Sequence, residues 1–160
     1  MIAYRVILDI KDIMVFEPGM TIYNKKKERY NEAEQFMEDV RLKLDNNILP
    51  RMGAIYVCNS LEHAHKWYSK VDAKQHLNYY IYKLNLIGQI QWHNPFFYEK
   101  VFSLVYNENE TKNEFELNKN AKSYWLSEYS EDNLLSEGLF WGEAIVIERY
   151  YFNNRQIIIN

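Results

Sequence analysis

The chain has 160 residues, 48% hydrophobic and 26% charged, with Lys+Arg 19 against Asp+Glu 22. That is the make-up of a soluble globular protein with a sizeable core, read as a single domain over residues 1–160. A formal net charge of -3 offers no global pull toward nucleic acid, and no apolar run nears the ~18 residues of a spanning helix, so no membrane partner is expected.

Cys58 is the sole cysteine, so no intrachain disulfide forms, and a reducing cytoplasm fits best. The first residues, Met-Ile-Ala-Tyr-Arg-Val-Ile-Leu-Asp, do not have the pattern of a signal peptide. Aromatic residues reach 16%. They suit stacking on a flat ligand, and they also follow from a coding bias shared with the abundant Asn, Lys and Ile.

Residues 2–9 are β-branched and loosely alternating and predict a first strand. Glu17-Pro18-Gly19 is a turn. Lys25 to Arg29 is a short basic run, read as a solvated helix start or loop. Tyr30, Ala33, Phe36, Met37, Val40 and Leu44 recur at helical spacing, which predicts an amphipathic helix over 28–45. Asn46, Asn47 and Pro50 end it. Ala54-Ile-Tyr-Val-Cys58 reads as a short strand. Asn59-Ser60 then caps a helix whose apolar face is Leu61, Ala64, Trp67, Tyr68 and Val71.

Two strands are expected at 79–84 and 88–92. Residues 96–105 fit helix and strand equally, and 107–113 reads as an exposed loop. A further helix is expected near 113–127, and an acidic loop follows it. The last strands are expected near 137–141, 143–150 and 155–159. The order lacks a regular βαβ alternation. It predicts an α+β fold of split, mostly antiparallel sheets with packed helices.

Common chemistries are missing. There is no phosphate-cradling Gly-rich loop and no nucleophile elbow. The histidines are His63, His65, His76 and His93, and their spacing makes no zinc motif, so no metal is expected. Cys58 on an apolar strand reads as a core thiol. Three segments remain. Tyr4-Arg5 on the first strand is either a surface pair or an anion clamp. Arg51-Met-Gly-Ala-Ile-Tyr-Val leads to Ser60 and a helix with His65, Trp67 and Tyr68. Glu137-Gly-Leu-Phe-Trp-Gly-Glu-Ala-Ile-Val, preceded by Ala121-Lys-Ser-Tyr-Trp125, places an acid in an apolar, aromatic strand. Burying such a charge is costly without a partner.

In this order the segments resemble the ADP-ribosyltransferase superfamily, with an Arg or His on the first strand and a Glu on a late one. The 51–57 segment and Tyr68 are similar to the Gly-Ile-Tyr-Phe stretch and later Tyr of the poly-ADP-ribose polymerase branch. The last two segments resemble those of small bacterial proteins with that fold. The resemblance spans residues 4 to about 148.

It implies an NAD+-dependent mono-ADP-ribosyltransferase, a glycosyltransferase in class, with NAD+ as substrate and no metal. In this role Glu137 grips the ribose 2′-hydroxyl and supports an oxocarbenium-like state. Arg5, with Tyr4, holds NAD+ through phosphate or ribose oxygens. Trp67 or Tyr68 stacks on nicotinamide, and Arg51 and Tyr56 line the pocket. The acceptor is a protein or a nucleic acid. A toxin or phage-defence role, with an antitoxin or inhibitor protein as partner, goes with the resemblance.

Glu143 and Glu148 rival Glu137. No His lies on the first strand, and the Ser-Thr-Ser motif is absent. Position 135 is Leu, so the Glu/Gln-x-Glu motif of arginine-modifying members is missing. The alternative is a catalytically inactive member that binds a nucleotide or partner.

Overall fold

The structure is a computed structural model and describes residues 1–8, 14–25, 31–71, 78–106, 113–128, 136–153 and 156–158. It contains six strands: β1 (Ile2–Leu8), β2 (Thr21–Tyr23), β3 (Ile55–Val57), β4 (Tyr79–His93), β5 (Glu137–Asn153) and β6 (Gln156–Ile158). Its four helices are α1 (Glu32–Leu44), α2 (Leu61–Val71), α3 (Pro95–Tyr106) and α4 (Glu114–Trp125). The fold is α+β, as expected.

Local signals explain the element starts. Asn31 caps α1, its side chain accepting from Glu34 N. Residues 26–30 lie outside the described residues, so the predicted start at 28 is not visible. Ser60 Oγ accepts from His63 N at 3.1 Å and begins α2. Asn113 caps α4 through Phe115 and Glu116. The ambiguous aromatic stretch is helical. Pro95 occupies its first position, where a missing N–H costs nothing, and Asn94 Oδ1 accepts from Phe96 N at 3.1 Å. The predicted loop at 107–112 and most of the acidic loop after α4 lie outside the described residues.

The chain divides into two compact units. The first comprises Met1–Asn24, Ile55–Gln89 and Phe140–Asn160, and the second Lys25–Ala54 and Ile90–Leu139. In the first, β1 runs antiparallel to β4 from Ile2↔Asn85 to Leu8↔Tyr79, and β2 runs antiparallel to β5 from Thr21↔Ile145 to Tyr23↔Glu143. The strand order is β1-β4-β5-β2, and β3 and β6 also pair with β5. Split sheets were expected. One connected sheet forms instead, because β5 is 17 residues long and serves several partners along its length. Helix α2 packs on β1 over a core of Ala64, Tyr68, Tyr79, Ile81 and Phe152.

Each of the strand pairs expected at 79–92 and at 137–150 is one strand. The expected breaks at 85–87 and at Gly142 are absent, and Gly88 and Gly142 let two backbones approach. A Cβ on Gly142 would lie 2.3 Å from Ile87 O, and one on Gly88 would lie 2.2 Å from Trp141 O. Their φ angles, 145° and 154°, favour glycine. Asn24 clasps the same place, donating to Phe140 O at 2.9 Å and accepting from Gly142 N at 2.8 Å. Gly142→Ala is expected to cost about 3 kcal/mol through clash and backbone strain. Urea unfolding should show a lower midpoint at constant slope; a change within ~0.5 kcal/mol would mean the strands part easily.

In the second unit, α1, α3 and α4 pack on one another. Met37, Val40, Val101, Leu117 and Ala121 fill their core, and Trp125 Nε1 donates to Met37 O at 2.8 Å.

Candidate functional site

A polar network crosses the apolar interior of the second unit. Arg51 follows α1 on a short turn closed by Ala54 N→Arg51 O at 3.1 Å, in which Gly53 takes φ 84°. The turn leaves Arg51 only 4% exposed. Its Nη1 donates to Glu137 Oε1 at 2.5 Å and to Tyr124 Oη at 2.5 Å. Tyr124, in the last turn of α4, donates its own hydroxyl to the same Glu137 oxygen at 2.7 Å. Arg51 Nε reaches Glu34 Oε2 at 3.3 Å, and Tyr98 on α3 donates to Glu34 Oε1 at 2.9 Å. The guanidinium lies 3.7 Å over the Tyr98 ring and 5.0 Å from that of Tyr124.

Glu34 and Glu137 are two acids around one guanidinium, all with side chains at most 12% exposed. Within this trio negative charge is in excess by one, in surroundings where water screens poorly. Burial, then the Glu34 carboxylate, holds the Tyr98 phenol well above its usual range, so it stays a donor. Glu137 Oε1 takes both hydrogen bonds, and Oε2 takes none among the described residues. The arrangement is a fixed carboxylate with one oxygen uncommitted. It suits a hydroxyl donor or a developing cation.

The remaining predicted residues lie in the first unit. Tyr4 on β1 bridges Cys58 through backbone bonds of 2.9 and 2.7 Å. Arg5 is half-buried and has no ion pair or hydrogen bond among the described residues, and its Nε is buried without an acceptor. Burial lowers its pKa, against an opposing effect of Tyr56. Tyr56 is half-buried on β3, and Trp67 half-buried on α2. Tyr68 is a core residue, 6% exposed and stacked on Tyr79 at 3.7 Å. That packing follows from its place on the apolar face of α2. Thus the structure joins Arg51 to Glu137, with Arg51 committed to carboxylates rather than open to a ligand. Of the rival acids, Glu143 is exposed, and Glu148 is paired with Lys83 and hydrogen-bonded by Tyr150.

A family model described as a protein of unknown function, DUF2441, matches residues 14–154. The chain belongs to the DUF2441 family. No curated protein matches it. Among the described residues of this DUF2441 member, no group of three or more His, Cys, Asp or Glu is placed to hold a metal ion, and no helix is long and apolar enough to cross a membrane.

Four residues of the network escaped the sequence reading as site residues: Glu34, Tyr98, Tyr124 and His93, whose Nδ1 lies 3.0 Å from the Tyr124 carbonyl oxygen. Glu34 carried a signal. It sits between Ala33 and Met37 on the buried stripe of α1, where an acid calls for a partner. Tyr98 and His93 carried none, because aromatic residues abound in this sequence.

Proposed function

We propose that this DUF2441 member is an NAD+-dependent mono-ADP-ribosyltransferase acting on a macromolecular acceptor. One observation carries the reading: Glu137, the acid singled out by the resemblance, is held through Oε1 by Arg51 and Tyr124 while Oε2 remains uncommitted among the described residues. Transfer requires the bond between ribose and nicotinamide to break with positive charge growing on the ribose. Glu137 Oε2 accepts the ribose 2′-hydroxyl and faces that charge with a carboxylate already fixed in place.

Incubation with labelled NAD+ and cell lysate tests this. Label is expected on a macromolecule, with nicotinamide released. Sensitivity of the product to protease or to nuclease names the acceptor class. Absence of both label transfer and nicotinamide release would overturn the reading. The inactive, nucleotide-binding alternative is favoured by the 2.5 Å Arg51–Glu137 pair itself, since a carboxylate so engaged also serves as a structural tie.

A further inference from the structure

Tyr124 orients two groups at once. Its hydroxyl holds Glu137, and its carbonyl oxygen lies 3.0 Å from His93 Nδ1. A carbonyl only accepts, so the hydrogen-bond network assigns the His93 proton to Nδ1. Ser127 Oγ, 3.3 Å from the same nitrogen, donates to Trp92 O at 2.8 Å and so does not supply that proton. The imidazole is 3% exposed, stacked on Tyr124 at 4.7 Å and set edge-on to Trp125. Its Nε2 is therefore a lone pair, buried and without a partner among the described residues. An unmet buried acceptor costs about 1–3 kcal/mol, so it calls for an explanation.

The same geometry defines a general base: Nδ1–H fixed by an oxygen, Nε2 left to take a proton. Resting on the transferase reading, we propose that His93 Nε2 is the proton acceptor for the attacking nucleophile. Position 135, two before Glu137, is Leu, so a carboxylate is not available there for this task. The acceptor class is a hydroxyl or a nitrogen-bound N–H that does not ionise unaided. Its electron pair forms the bond to ribose C1′. The C1′–nitrogen bond breaks, its pair leaving with neutral nicotinamide. The acceptor's proton passes to Nε2 and then to water, giving ADP-ribosylated acceptor, nicotinamide and one proton.

The ionisable groups around His93 are Arg51, Glu137 and Tyr124, with Glu34 and Tyr98 beyond Arg51. Burial, the largest effect, and Arg51 lower its pKa from the ordinary imidazole range, while the Tyr124 bond and Glu137 oppose them. The neutral, proton-accepting form therefore prevails at pH 7.

His93→Asn tests the proposal. Asn keeps an N–H for the Tyr124 carbonyl and deletes Nε2. Transfer is expected to fall about 10²–10⁴-fold with the melting temperature unchanged, and the acid limb of the wild-type rate profile should vanish. Undiminished transfer by the variant would overturn the base role. So would a wild-type profile flat below neutrality, whatever the variant's folding. Absence of both transfer and nicotinamide release in the wild type would instead overturn the transferase reading, and the base role with it.

Discussion

Arg51→Met is expected to lower the unfolding free energy by about 3–5 kcal/mol. Met keeps an unbranched apolar stem but ends short of the guanidinium, so the loss combines the charge with the stacking on Tyr98 and Tyr124. Glu34 and Glu137 would remain, side chains 11% and 12% exposed, with no guanidinium between them. Two facing carboxylates that water cannot reach repel each other and stay poorly solvated. Differential scanning calorimetry should show the melting temperature falling by roughly 10 °C, given about 2–4 °C per kcal/mol for a chain of this size. Adding Glu34→Gln and Glu137→Gln to Arg51→Met should return much of the loss, since the cost lies in the orphaned charges. A single variant as stable as the wild type would show that the network is solvated and contributes little.

Glu137→Gln is expected to reduce ADP-ribosyl transfer about 10²–10³-fold while the protein stays folded. The amide oxygen can still accept from Arg51 and Tyr124, and the Arg51–Glu34 pair persists. What disappears is the negative charge that, on the proposed reading, faces the growing cation. Transfer and nicotinamide release should be measured together, with circular dichroism as the check on folding. Glu143→Gln is the companion variant. Glu143 is exposed on β5 opposite Tyr23 and forms no ion pair among the described residues, so its neutralisation should leave the rate near wild type. Full activity in Glu137→Gln with loss in Glu143→Gln would move the catalytic role to Glu143.

Much of the architecture was legible from local pattern. The stripe of Ala33, Met37 and Val40 marked α1, and Asn31, Ser60 and Asn113 begin helices in the way their side chains favour. Where the reading failed, local rules were ambiguous or lost to packing. Residues 85–87 and Gly142 look like strand breaks in sequence, yet the strands run through them, and Gly88 and Gly142 are sites of backbone approach. Pro95-Phe-Phe-Tyr98 reads equally as strand or helix, because aromatic residues suit both and the capping Asn94 decides. Tyr68 has the composition of a stacking residue, but its place on the apolar face of α2 assigns it to the core.

The candidate site was half legible. An acid inside the aromatic stretch at 137 announced a carboxylate needing a partner, and the partner lies 86 residues earlier, at Arg51. No periodicity links two such positions. The sequence by itself determined α1, α2, α4 and most of the strands, the α+β class and the presence of an expensive carboxylate, because these follow from local propensity and from the side of each element that is apolar; β2 was not expected and α3 had an ambiguous signal. Only the tertiary structure decided that Arg51 and Tyr124 fix one oxygen of Glu137, that Glu34 shares the guanidinium, and that His93 keeps a buried lone pair. Those facts depend on which distant elements pack together, and it is that packing, by removing water, that makes each charge and lone pair dependent on its neighbours.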